Sequence, residues 1–74
     1  MIVKRIYEDT PGFSQGKFYK ARPHSQCQNV IQVQDDSNRW NSYGKKHIKG
    51  IGPYSSGIQY FKLINPINCV VGGI

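Results

Sequence analysis

The chain has 74 residues, 38% of them hydrophobic, a length that allows one domain with a small core. Ten Lys and Arg against four Asp and Glu give a formal net charge of +6, which favours anionic partners. No apolar run approaches the roughly 20 residues of a membrane span, and the N-terminus lacks the apolar stretch of a signal peptide. The sequence therefore predicts a cytoplasmic protein with no membrane partner.

Short stretches rich in β-branched and aromatic residues indicate strands, and Gly and Pro recur often enough to end each stretch at strand length. The predicted strands are residues 2–7, 17–21, 29–34, 39–43 and 58–64. We expect Pro23 to break strand pairing, because proline has no N–H to donate. Residues 35–38 have the composition of a hairpin turn, and residues 44–50 suit a short turn or a single helical turn.

Five or six short strands in so short a chain favour closure, because a small, partly open antiparallel barrel removes exposed sheet edges. We expect this mostly β domain to span residues 1–66, with residues 67–74 as an apolar tail or a last short strand. Alternation predicts Ile31, Val33 and Phe61 in the core, together with Phe18 or Tyr19. Trp40 fits a core position and an exposed one equally well.

One pattern is similar to a known group of proteins. Gly16-Lys17-Phe18-Tyr19 opens a strand, and a later strand ending in Asp35-Asp36 turns back through Trp40 and Tyr43. Over residues 2–48 this resembles the short SH3-like barrel proteins encoded by bacteriophages and other mobile elements. The resemblance implies an SH3-like barrel in the host cytoplasm. It also implies a non-enzymatic accessory protein that binds host nucleic-acid machinery, defence proteins or nucleic acid itself.

Zinc binding and catalysis are the alternatives to a binding role. His24 and Cys27 have a plausible ligand spacing, and His47 with Cys69 would complete a four-ligand set. Structural zinc sites usually combine two such short spacings, however, and this chain has one. We therefore expect no metal. Without an export signal, we expect free thiols at Cys27 and Cys69, with a disulfide between them as the less favoured alternative.

Catalysis needs a nucleophile, a base and an orienting group held together. Nothing in the spacing brings Cys27 and His47 to Asp35 or Asp36. So small a domain also has little room for a substrate pocket. We predict no enzymatic activity, no cofactor and no small-molecule substrate.

Basic residues interleaved with aromatics are the pattern that indicates binding, because cations contact phosphates while aromatic rings stack on bases. The predicted binding residues are Arg39, Trp40, Tyr43, Lys45, Lys46, His47 and Lys49. Two further groups share this composition: Lys17, Tyr19, Lys20 and Arg22, and Tyr60 with Lys62.

Aromatics and Arg are also enriched at protein interfaces, so two hypotheses remain. The preferred one is a phage-type accessory protein that binds and modulates a host protein of nucleic-acid metabolism or defence. The alternative is a module that binds DNA or RNA directly.

Overall fold

The computed structural model describes residues 1–51 and 57–65. They form one six-stranded sheet in the spatial order β4-β3-β2-β1-β6-β5. The strands are β1 (Ile2–Arg5), β2 (Phe18–Pro23), β3 (Val30–Gln34), β4 (Trp40–Gly44), β5 (Ile48–Lys49) and β6 (Phe61–Asn65). A single 3₁₀ turn, Lys45–His47, joins β4 to β5.

The sheet is curled into a small, partly open SH3-like barrel, which confirms the predicted fold class. Four of the five strand pairs are antiparallel, as expected, whereas β5 and β6 run parallel. A tight hairpin turn cannot join a parallel pair, and β5 and β6 are separated by eleven residues in the sequence. The predicted tail at 67–74 lies outside the described residues.

The core is built from the inward side chains of β1, β2, β3, β5 and β6 and from one loop residue. Its buried members are Val3, Phe13, Tyr19, Ala21, Ile31, Val33, Ile48 and Phe61. The predicted core positions Ile31, Val33 and Phe61 are confirmed. Tyr19, and not Phe18, is the buried member of the adjacent aromatic pair.

The prediction that Pro23 breaks strand pairing is wrong. Pro23 is the last residue of β2 and lies opposite Ile31 of β3. Ala21 donates its N–H to the Met1 carbonyl, on the side of β1, and His24 donates to Val30 of β3. Backbone groups alternate in direction along a strand, so the nitrogen of Pro23 points towards the side of β1. That strand begins at Ile2, which pairs with Lys20, so no ladder bond is lost.

The β1–β2 loop is hydrogen-bonded to the β3–β4 turn. Asp36 donates its N–H to the Gly12 carbonyl at 2.9 Å. Gly12 has φ of +95°, and a Cβ there would lie 3.3 Å from the Cβ of Asp35, so glycine suits both the conformation and the close approach. The predicted hairpin turn is confirmed, with Asn38 at φ of 64°.

Candidate functional site

The outward side chains of the sheet form a basic surface. Side chains alternate between core and exterior along each strand, and residues paired across two strands share a face. In β1, for example, Val3 and Arg5 are buried, whereas Lys4 lies on the outside. We call the basic and aromatic members of these outward side chains the outer basic face. It comprises Lys4, Phe18, Lys20, Arg22, Trp40, Lys49 and Lys62.

Three lysines of the outer basic face stand side by side on neighbouring strands. Lys4 of β1 pairs with Lys62 of β6, which in turn pairs with Lys49 of β5. Neighbouring strands are about 4.8 Å apart, and like charges directly opposite one another destabilise a sheet. The only ion pair within residues 1–51 and 57–65 joins Lys17 to Asp36, so the three lysines carry uncompensated charge. We call them the lysine row.

Phe18 continues the lysine row onto the next strand. It pairs with Lys4 across β1 and β2, and its side chain is 57% exposed. The Lys4 Nζ lies 6.0 Å from the centre of the phenyl ring, at the outer limit of a cation–π contact. A large exposed aromatic side chain therefore stands directly beside the positive charge.

Arg22 and Trp40 form a stacked pair on the other half of the face. The Arg22 guanidinium carbon is 3.9 Å from the centre of the Trp40 ring, across the intervening strand β3. Arg22 also donates from Nε to the Gln32 side-chain oxygen at 2.8 Å, which fixes the guanidinium over the indole. Trp40 is half-buried as a result, while Arg22 is exposed.

The acidic residues are segregated from this face. All four lie in the β1–β2 loop or at the β3–β4 turn, and they are Glu8, Asp9, Asp35 and Asp36. No outward strand position among the described residues is acidic. Asp36 accepts a hydrogen bond from Lys17, and this contact raises the pKa of the lysine. Within the described residues, none of the acids therefore forms an ion pair with a cation of the outer basic face.

The structure divides the predicted binding residues among several places. Trp40 and Lys49 lie on the outer basic face. Tyr43 lies on the inner side, with its ring centre 5.1 Å from that of Phe61 and 6.2 Å from that of Phe13. Burial raises the pKa of the Tyr43 hydroxyl, and the charge of Arg5 opposes that rise.

The remaining predicted residues lie in turns. Arg39 is exposed and directly follows the hairpin turn. Lys45, Lys46 and His47 form the 3₁₀ turn, whose carbonyl at Lys46 accepts a 2.7 Å hydrogen bond from Gln59. The His47 Nδ1 lies 2.8 Å from the Ile58 carbonyl oxygen. This turn is therefore held against the segment that precedes β6.

The two further basic groups are also divided. Lys20, Arg22 and Lys62 point outward beside Trp40 and Lys49, whereas Tyr19 and Tyr60 pack inward. Sequence reasoning missed two members of the face, Lys4 and Phe18. The alternation Ile2-Val3-Lys4-Arg5 was a usable signal for Lys4, although the burial of Arg5 obscures it. Phe18 stands next to Tyr19, and alternation alone did not decide which of the two faces out.

The predicted ligands His24 and Cys27 lie in the segment between β2 and β3. The His24 Nδ1 accepts hydrogen bonds from the backbone N–H groups of Gln26 and Cys27, at 3.0 and 3.2 Å. Cys27 is an exposed free thiol, and Cys69 lies outside the described residues. Within the described part of the chain, no three His, Cys, Asp or Glu side chains are grouped to hold a metal ion.

No helix of the described segments is long and apolar enough to cross a membrane. Comparison with known proteins finds no match among family models, curated proteins or solved structures.

Proposed function

We propose that this protein is a non-catalytic binding protein and that the outer basic face contacts nucleic acid directly. One observation carries the proposal: Lys4, Lys62 and Lys49 stand in register on three strands, and no acid shares their face. Like charges in this position cost stability in the free protein. A chain of phosphates would offset that repulsion, since each lysine would gain an anionic partner.

The aromatic residues of the face support the same proposal. Phe18 and the Arg22–Trp40 pair lie on the same outer surface as the lysines, and rings or guanidinium planes next to cations suit nucleic acid. A phage-type accessory protein in a bacterial host's cytoplasm remains the biological setting that we propose. The phrase Gly16-Lys17-Phe18-Tyr19 and the Asp35-Asp36 turn support it by resemblance.

The salt dependence of binding tests the lysine row. For the double variant Lys4→Ala/Lys62→Ala we expect weaker binding to DNA of any sequence. The log–log slope against salt should flatten by about two contacts, each worth roughly 0.9 on duplex DNA and 0.7 on a single strand. Lys17→Ala is the control, because it removes one positive charge from a lysine that pairs with Asp36 in the loops.

Three results of the titration would contradict the proposal. The first is a salt slope that does not change in the double variant, and the second is a Lys17→Ala variant that changes the slope as much as the double variant does. The third is wild-type protein that does not bind DNA at physiological salt. A host protein that co-purifies after nuclease treatment, combined with no nucleic-acid binding, would favour the protein-directed hypothesis instead. The variant Lys45→Ala/Lys46→Ala measures separately whether the 3₁₀ turn adds contacts.

A further inference from the structure

We infer that the outer basic face selects single-stranded over duplex nucleic acid, with Phe18 as the ring on which a base stacks. The inference rests on the proposed function and adds the form of the ligand. It depends on the geometry of the aromatic side chains, which the salt titration does not examine.

Most of the described aromatic residues pack against one another. Edge-to-face and tilted contacts, with ring centres 4.9–6.4 Å apart, join Tyr7, Phe13, Tyr19, Tyr43, Tyr60 and Phe61. Phe18 and Trp40 are the two described aromatics outside this network. Both lie on the outer basic face, so the rings left available to a ligand are found beside the cations.

Phe18 is the more accessible of the two rings. Its side chain is 57% exposed, whereas the Trp40 ring is covered by the Arg22 guanidinium at 3.9 Å. A base reaching the Trp40 half of the face would meet the exposed guanidinium of Arg22, which is also a stacking plane. Phe18 therefore offers the one open aromatic ring that the described residues place on this surface.

The position of Phe18 matches the path of a single strand. It stands at one end of the lysine row, and Phe18 and the three lysines together span about 14 Å across four strands. A backbone following the row would place phosphates on the lysines and one base over the phenyl ring. In a duplex the base faces are already stacked on each other, so only the phosphate contacts remain.

The test compares two probes by fluorescence anisotropy: a labelled mixed-sequence DNA oligonucleotide, and the same oligonucleotide annealed to its complement. Wild type should bind the single strand more tightly than the duplex at equal salt. Phe18→Ala should weaken single-strand binding roughly 5- to 150-fold, while duplex binding and both salt slopes stay unchanged. A labelled RNA of the same sequence shows whether the protein prefers single-stranded DNA or single-stranded RNA.

Two control variants distinguish base stacking on the Phe18 ring from a general effect of exposed apolar side chains. Phe18→Leu keeps an apolar side chain without an aromatic face and should behave like Phe18→Ala. Ile58→Ala shortens another exposed apolar residue, 47% exposed and outside the strands, and should bind both probes as wild type does.

Equal affinity for the two probes, or a Phe18→Ala variant that binds the single strand as wild type does, would overturn this inference. If the lysine-row variants still weaken binding, the proposed function survives that outcome. Binding to neither probe would instead overturn the proposed function itself.

Discussion

Arg5 is a charged side chain inside the core of a very small protein. It is 2% exposed, and its guanidinium carbon lies 5.1–5.7 Å from the ring centres of Tyr7, Phe13, Tyr60 and Phe61. It also donates to the Glu8 carbonyl and to the Thr10 hydroxyl, at 3.2 and 3.1 Å. Aromatic faces and neutral oxygens thus stabilise this cation without a carboxylate.

Lysine should be a poor replacement for Arg5. An ammonium group has no plane to lie among the rings, and it cannot keep the two-acceptor geometry of the guanidinium. We expect Arg5→Lys to lower the free energy of unfolding by about 2–4 kcal/mol, measured by urea denaturation. The exposed Lys20→Arg change is the control and should stay within about 0.5 kcal/mol of wild type. Equal stability of the two variants would show that the rings and oxygen acceptors around Arg5 do not require a guanidinium group.

At the scale of elements, the β3–β4 hairpin is fixed by one carboxylate. The Asp35 Oδ1 accepts the backbone N–H groups of Ser37 and Arg39, at 2.8 and 3.0 Å, and Oδ2 accepts from the Asn41 amide at 3.1 Å. These hydrogen bonds, the one from Arg39 foremost, favour the ionised form and lower the pKa of Asp35.

A lowered folded-state pKa makes this turn sensitive to acid. The unfolded chain binds the proton more readily, so the stabilisation is complete above the unfolded pKa of about 3.9 and is lost as pH falls through the folded value. The urea midpoint of wild type should therefore fall as the pH is lowered through this range. The midpoint of Asp35→Asn should fall less, because asparagine has no carboxylate to protonate. Identical profiles for Asp35→Asn and wild type would refute this role.

The elements that sequence reasoning predicted well are those whose signals are local. The turn at residues 35–38 and the alternation of Ile31 and Val33 depend only on neighbours along the chain. Burial of Tyr19 in place of Phe18 depends on tertiary contacts: its hydroxyl accepts the Ser14 N–H at 2.7 Å and lies 3.4 Å from Asp36. The sheet likewise accommodates Pro23 only because β1 begins at Ile2 and has no residue opposite the proline nitrogen.

The lysine row could not be predicted from local pattern, because Lys4, Lys49 and Lys62 are distant in sequence. They meet through two strand pairings, one of them parallel, and both pairings form only in the folded sheet. The predicted stretch from Arg39 to Lys49 contributed Trp40 and Lys49 to the face. Its other members follow the chain into the turns and the core.

At the scale of the whole molecule, half of the ten Lys and Arg residues lie on the outer basic face. The others are divided between the core, the ion pair with Asp36 and the turns: Arg5, Lys17, Arg39, Lys45 and Lys46. All four acids are in or beside the loops. The net charge of +6 is therefore concentrated on strand positions whose side chains point away from the core.

The binding role of the outer basic face is tested by mapping amide chemical shifts of the ¹⁵N-labelled protein as a single-stranded DNA oligonucleotide is added. The largest changes should occur at Lys4, Phe18, Lys49 and Lys62 and at their strand neighbours. The β1–β2 loop around Asp9 should change little. Changes confined to the 3₁₀ turn Lys45–His47 or to the acidic loops, with the four named residues unaffected, would contradict the assignment of the outer basic face.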